Sequence, residues 1–343
     1  MQPATPARGN ADRPTFSIIV PVYNRPDEVA DLLDSLIRQT DKDFEIILVE
    51  DGSTVPCREQ AERAAGKLRL KYFFKENEGR SIARNYGIDR ADGDFFVFVD
   101  SDCILPPDYV EQLRHSLAET PTDCFGGPDA AHDSFTDTQK AINFSMTSFL
   151  TTGGIRGGKV QLEKFVPRTF NMGFSRAVYE KTGGFREMFS EDIDMSTRIR
   201  LAGFGIALFR NVRVFHKRRV DLKKFWRQVH VFGMSRITLQ LLYPGSLKAV
   251  HCLPALFVIF AAAMLVGAFF LPWLLIPLGA YLLLLWISAI ATTKSLKIGS
   301  LAVVTSIIQL AGYGTGFIRA YVWKILLRHG RDERQEIEMR RGK

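Results

Sequence analysis

The chain has 343 residues, 46% of them hydrophobic, with four cysteines and a formal net charge of +8. That length can bury a full domain and leave apolar sequence over, which excludes a disulfide-stapled miniprotein and a low-complexity disordered chain. Cys57, Cys103, Cys124 and Cys252 show no paired spacing, so a zinc site is not expected and a reducing compartment is.

Residues 1–14 are polar and carry prolines without an apolar core, and read as a disordered lead rather than a signal peptide. A buried strand follows at residues 16–20 and runs into the loop opener Pro21-Val22-Tyr23-Asn24. Val29, Leu32, Leu33, Leu36 and Ile37 then recur at helical spacing and form one apolar stripe. Residues 44–49 are a second buried strand ending in Glu50-Asp51-Gly52-Ser53, and residues 68–74 a third, after which Asn77 to Gly87 opens a helix. Strand, helix, strand, helix, strand with polar residues at the carboxyl ends predicts a doubly wound α/β sheet whose ligands sit outside those ends.

The apolar strand at residues 95–99 runs into Asp100-Ser101-Asp102. Two carboxylates one residue apart at a strand end can share a hard divalent cation with a substrate diphosphate, since Mg²⁺ and Mn²⁺ prefer oxygen ligands. Alone, such a pair is equally a solvated turn, as Asp51-Gly52-Ser53 is equally an Asx turn. Gly153 to Lys159 satisfies the spacing of a phosphate-binding loop, but Val160 stands where a Ser or Thr should be and no buried strand leads into it. A mobile lid carrying Arg156 and Lys159, beside the flexible Gly154, Gly157 and Gly158, is the better expectation. Residues 138–150 read as a helix and residues 171–175 as a strand returning to the sheet. Ser190-Glu191-Asp192-Ile193-Asp194 then opens a helix over 195–202, where carboxylates also suit the positive end of the helix dipole. Residues 212–216 close a strand-like run at His216, just before Lys217, Arg218 and Arg219.

Residues 221–233 alternate cations with aromatic residues in a helical pattern, which predicts an interfacial segment over 221–248 with Trp226, Val229 and Phe232 inserted. Between Lys248 and Lys294 lie 45 residues without Asp, Glu, Lys or Arg, enough for two spans at about 252–271 and 275–293, with Trp273 at the turn. A third apolar stretch at about 299–323 carries Thr305, Ser306, Gln309 and glycines 312, 314 and 316. It is read as a third apolar helix, less oily and open to breakage at its glycines, whose topology stays open: either it re-enters or lies along the interface, or it spans and violates the positive-inside rule, because Lys294, Lys297 and the basic tail 327–343 all suggest the cytoplasmic side. The positive charge borders the spans and no nucleic-acid module is present, so its partner is an anionic membrane and not nucleic acid.

Taken together, Pro21 to Asn24, Glu50 to Ser53, Asn77 to Asn85 and Asp100 to Asp102 resemble the family 2 glycosyltransferases over roughly residues 15–220. The resemblance implies a GT-A, Rossmann-like nucleotide-diphospho-sugar transferase domain followed by C-terminal transmembrane or interfacial helices. It implies that Pro21, Tyr23 and Asp51 hold uracil and ribose, that Arg84 fixes base and diphosphate, and that Asp100 and Asp102 handle ribose and metal. It also places Asn24, Asn77, Gly79, Glu191 and Arg219 in the donor pocket, makes His216 a further ligand for Mg²⁺ or Mn²⁺, and assigns the acceptor proton to Asp192.

A hydroxyl needs a carboxylate to take its proton as it attacks, and one base with no nucleophilic carboxylate implies direct displacement with inversion. The expected protein is therefore a metal-dependent transferase moving a sugar from a nucleotide-sugar donor, a UDP-sugar first, to a lipid-linked or saccharide acceptor. Its place is the cytoplasmic face of the inner cell membrane, in surface glycan synthesis. Two readings stand beside it. A processive polysaccharide synthase is disfavoured because no Gln-x-x-Arg-Trp motif follows His216. A catalytically silent, nucleotide-sugar-binding scaffold would have no need for all of Asp51, Asp100, Asp102 and Asp192.

Overall fold

The computed structural model describes residues 14–130, 135–153, 165–216 and 221–327. In chain order it contains β1 (Phe16–Val22), α1 (Pro26–Ile37), β2 (Phe44–Asp51), α2 (Arg58–Ala65), β3 (Leu70–Lys75), α3 (Arg80–Ile88), β4 (Phe95–Phe98), β5 (Cys103–Ile104), α4 (Tyr109–Glu119) and β6 (Cys124–Gly126). There follow β7 (Asp129–Ala130), α5 (Asp137–Thr147), α6 (Phe149–Thr152), β8 (Met172–Ser175), α7 (Arg176–Thr182), α8 (Glu191–Leu201), β9 (Ile206–Leu208) and β10 (Val214–His216). The last third is helical: α9 (Leu222–Leu242), α10 (Ala249–Gly267), a 3-10 turn (Pro272–Leu275), α11 (Ile276–Thr293) and α12 (Leu296–Ala320), which ends in a π turn (Tyr321–Leu326).

These elements sort into two compact units. The first comprises Met1–Gly127, Pro167–Phe185 and Met195–Val214, and the second Pro128–Val166, Arg186–Asp194 and Phe215–Lys343. The division does not follow the linear order: residues 128–166 and 186–194, inside the expected catalytic stretch 15–220, fold with the C-terminal helices.

The first unit is a seven-stranded sheet in the order β3-β2-β1-β4-β8-β6-β9. Strands β3, β2, β1 and β4 are parallel, with Phe16 opposite Phe44 and Phe95. Alternation along these strands splits the core in two, because successive side chains point to opposite faces. Ile18, Val20, Ile46, Leu48, Val97 and Val99 join the buried residues of α1, α2 and α4 on one face. Ile19, Ile47, Val49, Phe96 and Phe98 meet α3, α7 and the C-terminal turns of α8 on the other. Each fully buried Ile, Leu or Phe contributes about 1.5–3 kcal/mol of transfer free energy, so burial on both faces explains why these strands read as continuous apolar runs. The sheet is mixed rather than purely doubly wound: β8 lies antiparallel to both β4 and β6, and β9 pairs parallel to β6. The pattern of short apolar runs does not encode that reversal.

Among the described residues of the second unit, three helices are long and apolar enough to cross a membrane: Ala249–Gly267, Pro272–Thr293 and Leu296–Leu326. The first two are 11% buried within the protein and leave bare apolar faces, as at Phe260, Phe269, Phe270 and Ile276. The third is 50% buried. Its glycines do not break it. Between α9 and α12, a Cβ on Gly233 would meet the Tyr313 carbonyl oxygen at 2.0 Å, and one on Gly316 the His230 carbonyl oxygen at 2.0 Å. On the α10 side, one on Gly314 would lie 2.3 Å from the Pro254 carbonyl oxygen. Small residues here let helix backbones touch, the usual device where lipid removes the hydrophobic drive for association. Val229, expected to insert into lipid, is instead fully buried with Phe225, Ile142 and Met146. Helix α5 packs in the same way, its Ala141 and Phe144 against Leu285, Ala289 and Ala302. Thr305 donates to the Ala141 carbonyl at 3.0 Å.

Candidate functional site

Because β1, β2 and β4 are parallel, Tyr23, Asp51 and Asp100 emerge at one edge of the sheet. The loops there are organised before any ligand binds. Asn24, in the left-handed region at φ 53, accepts from the Thr54 and Val55 amides at 2.8 and 3.0 Å and donates its own amide to Ser53 at 2.7 Å. It therefore holds the β1 and β2 loops together. Ser53 in turn donates to Glu50. Glu50 is fully buried, and its other oxygen accepts from the Cys57 amide at 2.8 Å, the Cys57 thiol at 2.9 Å and the Tyr72 hydroxyl at 3.3 Å. Burial, helped by the Glu50 charge, pushes the Cys57 thiol far above its usual range, so it stays a protonated donor.

Glu50→Ala therefore strands several buried donors, each costing about 1–3 kcal/mol. The expected result is a clearly lower melting temperature in detergent, with Glu50→Gln recovering part of it by keeping one acceptor. An unchanged melting temperature for Glu50→Ala would show that this buried carboxylate does not organise the loops.

Asp51 closes β2 and is 3% exposed. Its carboxylate accepts from the Glu78 and Gly79 amides at 3.0 and 2.9 Å, at the start of α3, and pairs with Lys75 at 2.9 Å. Asn77 donates to the Asp51 carbonyl at 2.9 Å. Gly52 has no room for a side chain here: it sits at φ +70, and a Cβ would lie 2.5 Å from the Asn77 nitrogen. Burial disfavours the Lys75 charge, but hydrogen bonds to Asp51 and Glu78 outweigh it and hold its pKa above the usual lysine range. Tyr23 is 51% exposed, a ring free to stack on a base, and Pro21 is half-buried.

Arg84, expected to fix base and diphosphate, is 1% exposed, donates to Asp100 at 2.8 Å and lies over the Phe185 ring at 5.6 Å. Asp102 pairs with Arg25 at 2.9 Å, with 18% of its side chain exposed. Both acids are thus held in place by cations and remain open to solvent. Two oriented carboxylates at a strand end suit a hard divalent ion, provided Arg25 yields its place to the ion.

In the second unit, Ser190 adopts φ 64, and its carbonyl accepts from the Ile193 and Asp194 amides at 3.0 and 3.1 Å to start α8. The acids expected just before a helix therefore lie in its first turn. Glu191 is 2% exposed and Asp194 fully buried, while Asp192 is half-buried and accepts from the Ile193 amide at 2.8 Å. Asp194 pairs with Arg186 at 3.0 Å and accepts from the Tyr243 hydroxyl at 2.6 Å. His216 is half-buried at the end of β10. Arg219, Arg218, the loop glycines 154, 157 and 158 with Arg156 and Lys159, the lead 1–13 and the tail from 328 lie outside the described residues.

Sequence reasoning missed Glu50 as the buried organiser, Lys75 and Arg25 as carboxylate partners, and Tyr243. It also missed the role of Asn171, whose side chain accepts from Tyr109 and donates to the Val212 carbonyl, both at 2.7 Å. Lys75 and Arg25 carried a weak signal as cations bordering the motif segments 77–85 and 21–24. Glu50 stood inside a motif with its partners 3, 7 and 22 residues away, and only its burial was hidden. Asn171 and Tyr243 pair across 62, 41 or 49 residues of sequence, which no local pattern can report.

A family model described as Glycosyl transferase family 2 matches residues 17–183. An uncharacterized glycosyltransferase of Rickettsia felis is 41% identical over 99 residues, covering 29% of this chain and 16% of that protein. The glycosyltransferase GlyA of Streptococcus pneumoniae is 41% identical over 112 residues, 32% of this chain and 16% of the relative. The chain thus spans about a sixth of the length of each of these two. A mannosyltransferase from Pyrobaculum calidifontis, solved in complex with GDP-Man and Mn²⁺, superposes with TM-score 0.56 at 20% identity, over 96% of this chain and 91% of its own. That likeness is one of fold.

Proposed function

With residues 17–183 matching a family model described as Glycosyl transferase family 2, we propose that this protein is a membrane-anchored, inverting glycosyltransferase. It takes a sugar from a nucleotide-sugar, a UDP-sugar first, to a hydroxyl of a lipid-linked or saccharide acceptor in surface glycan synthesis. The reading is carried by one observation: three ordered carboxylates, Asp51, Asp100 and Asp102, follow the carboxyl ends of parallel strands, where open α/β sheets bind their ligands. The anchor is the set of three apolar helices, two of which leave most of their surface bare. Tethering to the bilayer raises the effective concentration of an acceptor that is itself in the membrane. Lys294 and Lys297, which follow the second apolar helix, favour the cytoplasmic face of the inner membrane.

In this reading Tyr23 stacks on the base, Pro21 shapes the pocket and Asp51 bonds the base edge. Asn24, Asn77, Gly79 and Glu191 keep the pocket walls in place, Arg84 aims Asp100 at the ribose, and Arg219 completes the diphosphate contacts. Asp102 and His216 hold Mg²⁺ or Mn²⁺. Bound there, the ion supplies Lewis-acid neutralisation of the leaving diphosphate. Asp192 accepts the acceptor hydroxyl proton as its oxygen bonds the anomeric carbon and the bond from that carbon to the diphosphate breaks, leaving the nucleoside diphosphate with the electron pair. A single displacement gives a β-linked product from an α-linked donor.

The test is a screen of UDP-, GDP- and dTDP-sugars for cation-dependent thermal stabilisation of the protein in detergent, followed by transfer in liposomes. One nucleotide class is expected to raise the melting temperature only with Mg²⁺ or Mn²⁺, because a ligand of the folded state adds its binding free energy to stability. In Asp102→Ala that cation dependence is expected to vanish. No stabilisation by any donor, or a product of retained configuration, removes the reading.

A further inference from the structure

We propose that Tyr243 is a positioning residue for transfer: its hydroxyl clasps the segment that carries Asp192 to helix α9 of the membrane unit. The inference rests on the reading of Asp192 as the base and adds how that base is held.

The segment Arg186–Asp194 folds with the C-terminal helices rather than with the sheet. Its upstream neighbour Phe185 is fixed in the first unit by Asn85, which accepts from the Phe185 amide and donates to its carbonyl, both at 2.8 Å. Downstream, two contacts join the segment to α9. Ser190 and Ser235 lie 2.8 Å apart through their hydroxyl oxygens. The Ser235 hydroxyl also lies 3.0 Å from the Phe232 carbonyl oxygen. Tyr243, at the C-terminal cap of α9, donates to Asp194 at 2.6 Å. Positions 235 and 243 are eight residues apart, about two turns, so they share one face of α9.

The tyrosine is not needed to balance charge, because Arg186 already pairs with the fully buried Asp194 at 3.0 Å. What its hydroxyl adds is direction. A short bond to a carboxylate two residues beyond Asp192 fixes the first turn of α8, which Ser190 enters at φ 64, a conformation that needs its surroundings to hold it. Helix α9 in turn presses its backbone at Gly233 on α12, so the base segment is tied to the packed span of the bundle. A geometric error of about 1 Å in a catalytic group costs up to about 100-fold in rate.

The experiment compares wild type with Tyr243→Phe, which keeps the ring and removes the hydroxyl, in the full-length protein reconstituted in liposomes. The expected result is a kcat lowered by about tenfold or more, with the donor KM unchanged and the melting temperature within about 4 °C. Hydrogen exchange at the amides of residues 187–193 is expected to quicken while that of β1, β2 and β4 stays as it was. In an Asp194→Ala background the second change should add little, since the shared hydrogen bond is already gone. An unaltered kcat, or a loss of kcat in step with donor affinity and melting temperature, overturns the proposal. If wild type transfers sugar from no donor, the functional reading fails separately. The exchange measurement then still decides the clasp: faster exchange in residues 187–193 of Tyr243→Phe supports it, and unchanged exchange overturns it.

Discussion

Asp192→Asn is expected to lower the transfer rate by about 10²–10⁴-fold, the range that a positioned general base supplies, while cation-dependent stabilisation by the donor persists. The substitution keeps size and hydrogen-bonding capacity and removes only the ability to take a proton. Three acids share the first turn of α8, and burial separates them. Asp194 is fully buried and committed to Arg186 and Tyr243, and Glu191 is 2% exposed. Asp192 is half-buried and accepts from the adjacent Ile193 amide, and in the proposed reading it is the one that meets the acceptor hydroxyl. Initial rates with saturating donor, alongside the melting-temperature response to nucleotide and Mn²⁺, give the two readouts. Turnover of Asp192→Asn at the wild-type rate excludes it as the base. A simultaneous loss of donor stabilisation makes it a binding or folding residue instead.

The second large effect is expected in the membrane unit. Gly316→Leu and Gly233→Val each drive a side chain into backbone of the facing helix, at 2.0 Å from the carbonyl oxygens of His230 and Tyr313. Overpacking in a core costs typically about 1–3 kcal/mol. Here the obstacle is main chain and cannot rotate away, so the helices must separate, and the cost is expected at or above the top of that range. Size-exclusion profiles in mild detergent should show loss of the folded monodisperse species for both variants. Gly279→Leu, at a site with open space around it in α11, is the control and should behave as wild type. If Gly316→Leu retains the wild-type profile and melting temperature, the close approach of α9 and α12 does not hold this bundle together.

Both predictions turn on residues that the sequence displayed without stating their purpose. The strands were legible because burial on both faces leaves an uninterrupted apolar run, and α1 because a single buried stripe recurs at helical spacing. The motif acids were legible because each closes such a run, so the end of the strand and the start of the polar loop mark the ligand edge together. Two of the spans were legible from 45 uncharged residues between Lys248 and Lys294. The third stretch was legible as an apolar helix, but not the purpose of its glycines: glycine weakens a helix in isolation and strengthens it where a second backbone must approach, and composition reports only the first.

What the amino-acid sequence determined by itself is the succession of buried strands, the strand ends at which carboxylates gather, and the presence of an apolar helical end, because each depends on residues near one another in the chain. Tertiary structure alone decided that Arg84 donates to Asp100, that β8 reverses the sheet, and that residues 186–194 belong with the helices, where Asp194 accepts from Tyr243. Those outcomes depend on side chains that meet only after distant segments fold against each other. Hydrogen bonding of buried polar groups then selects partners that no local periodicity contains.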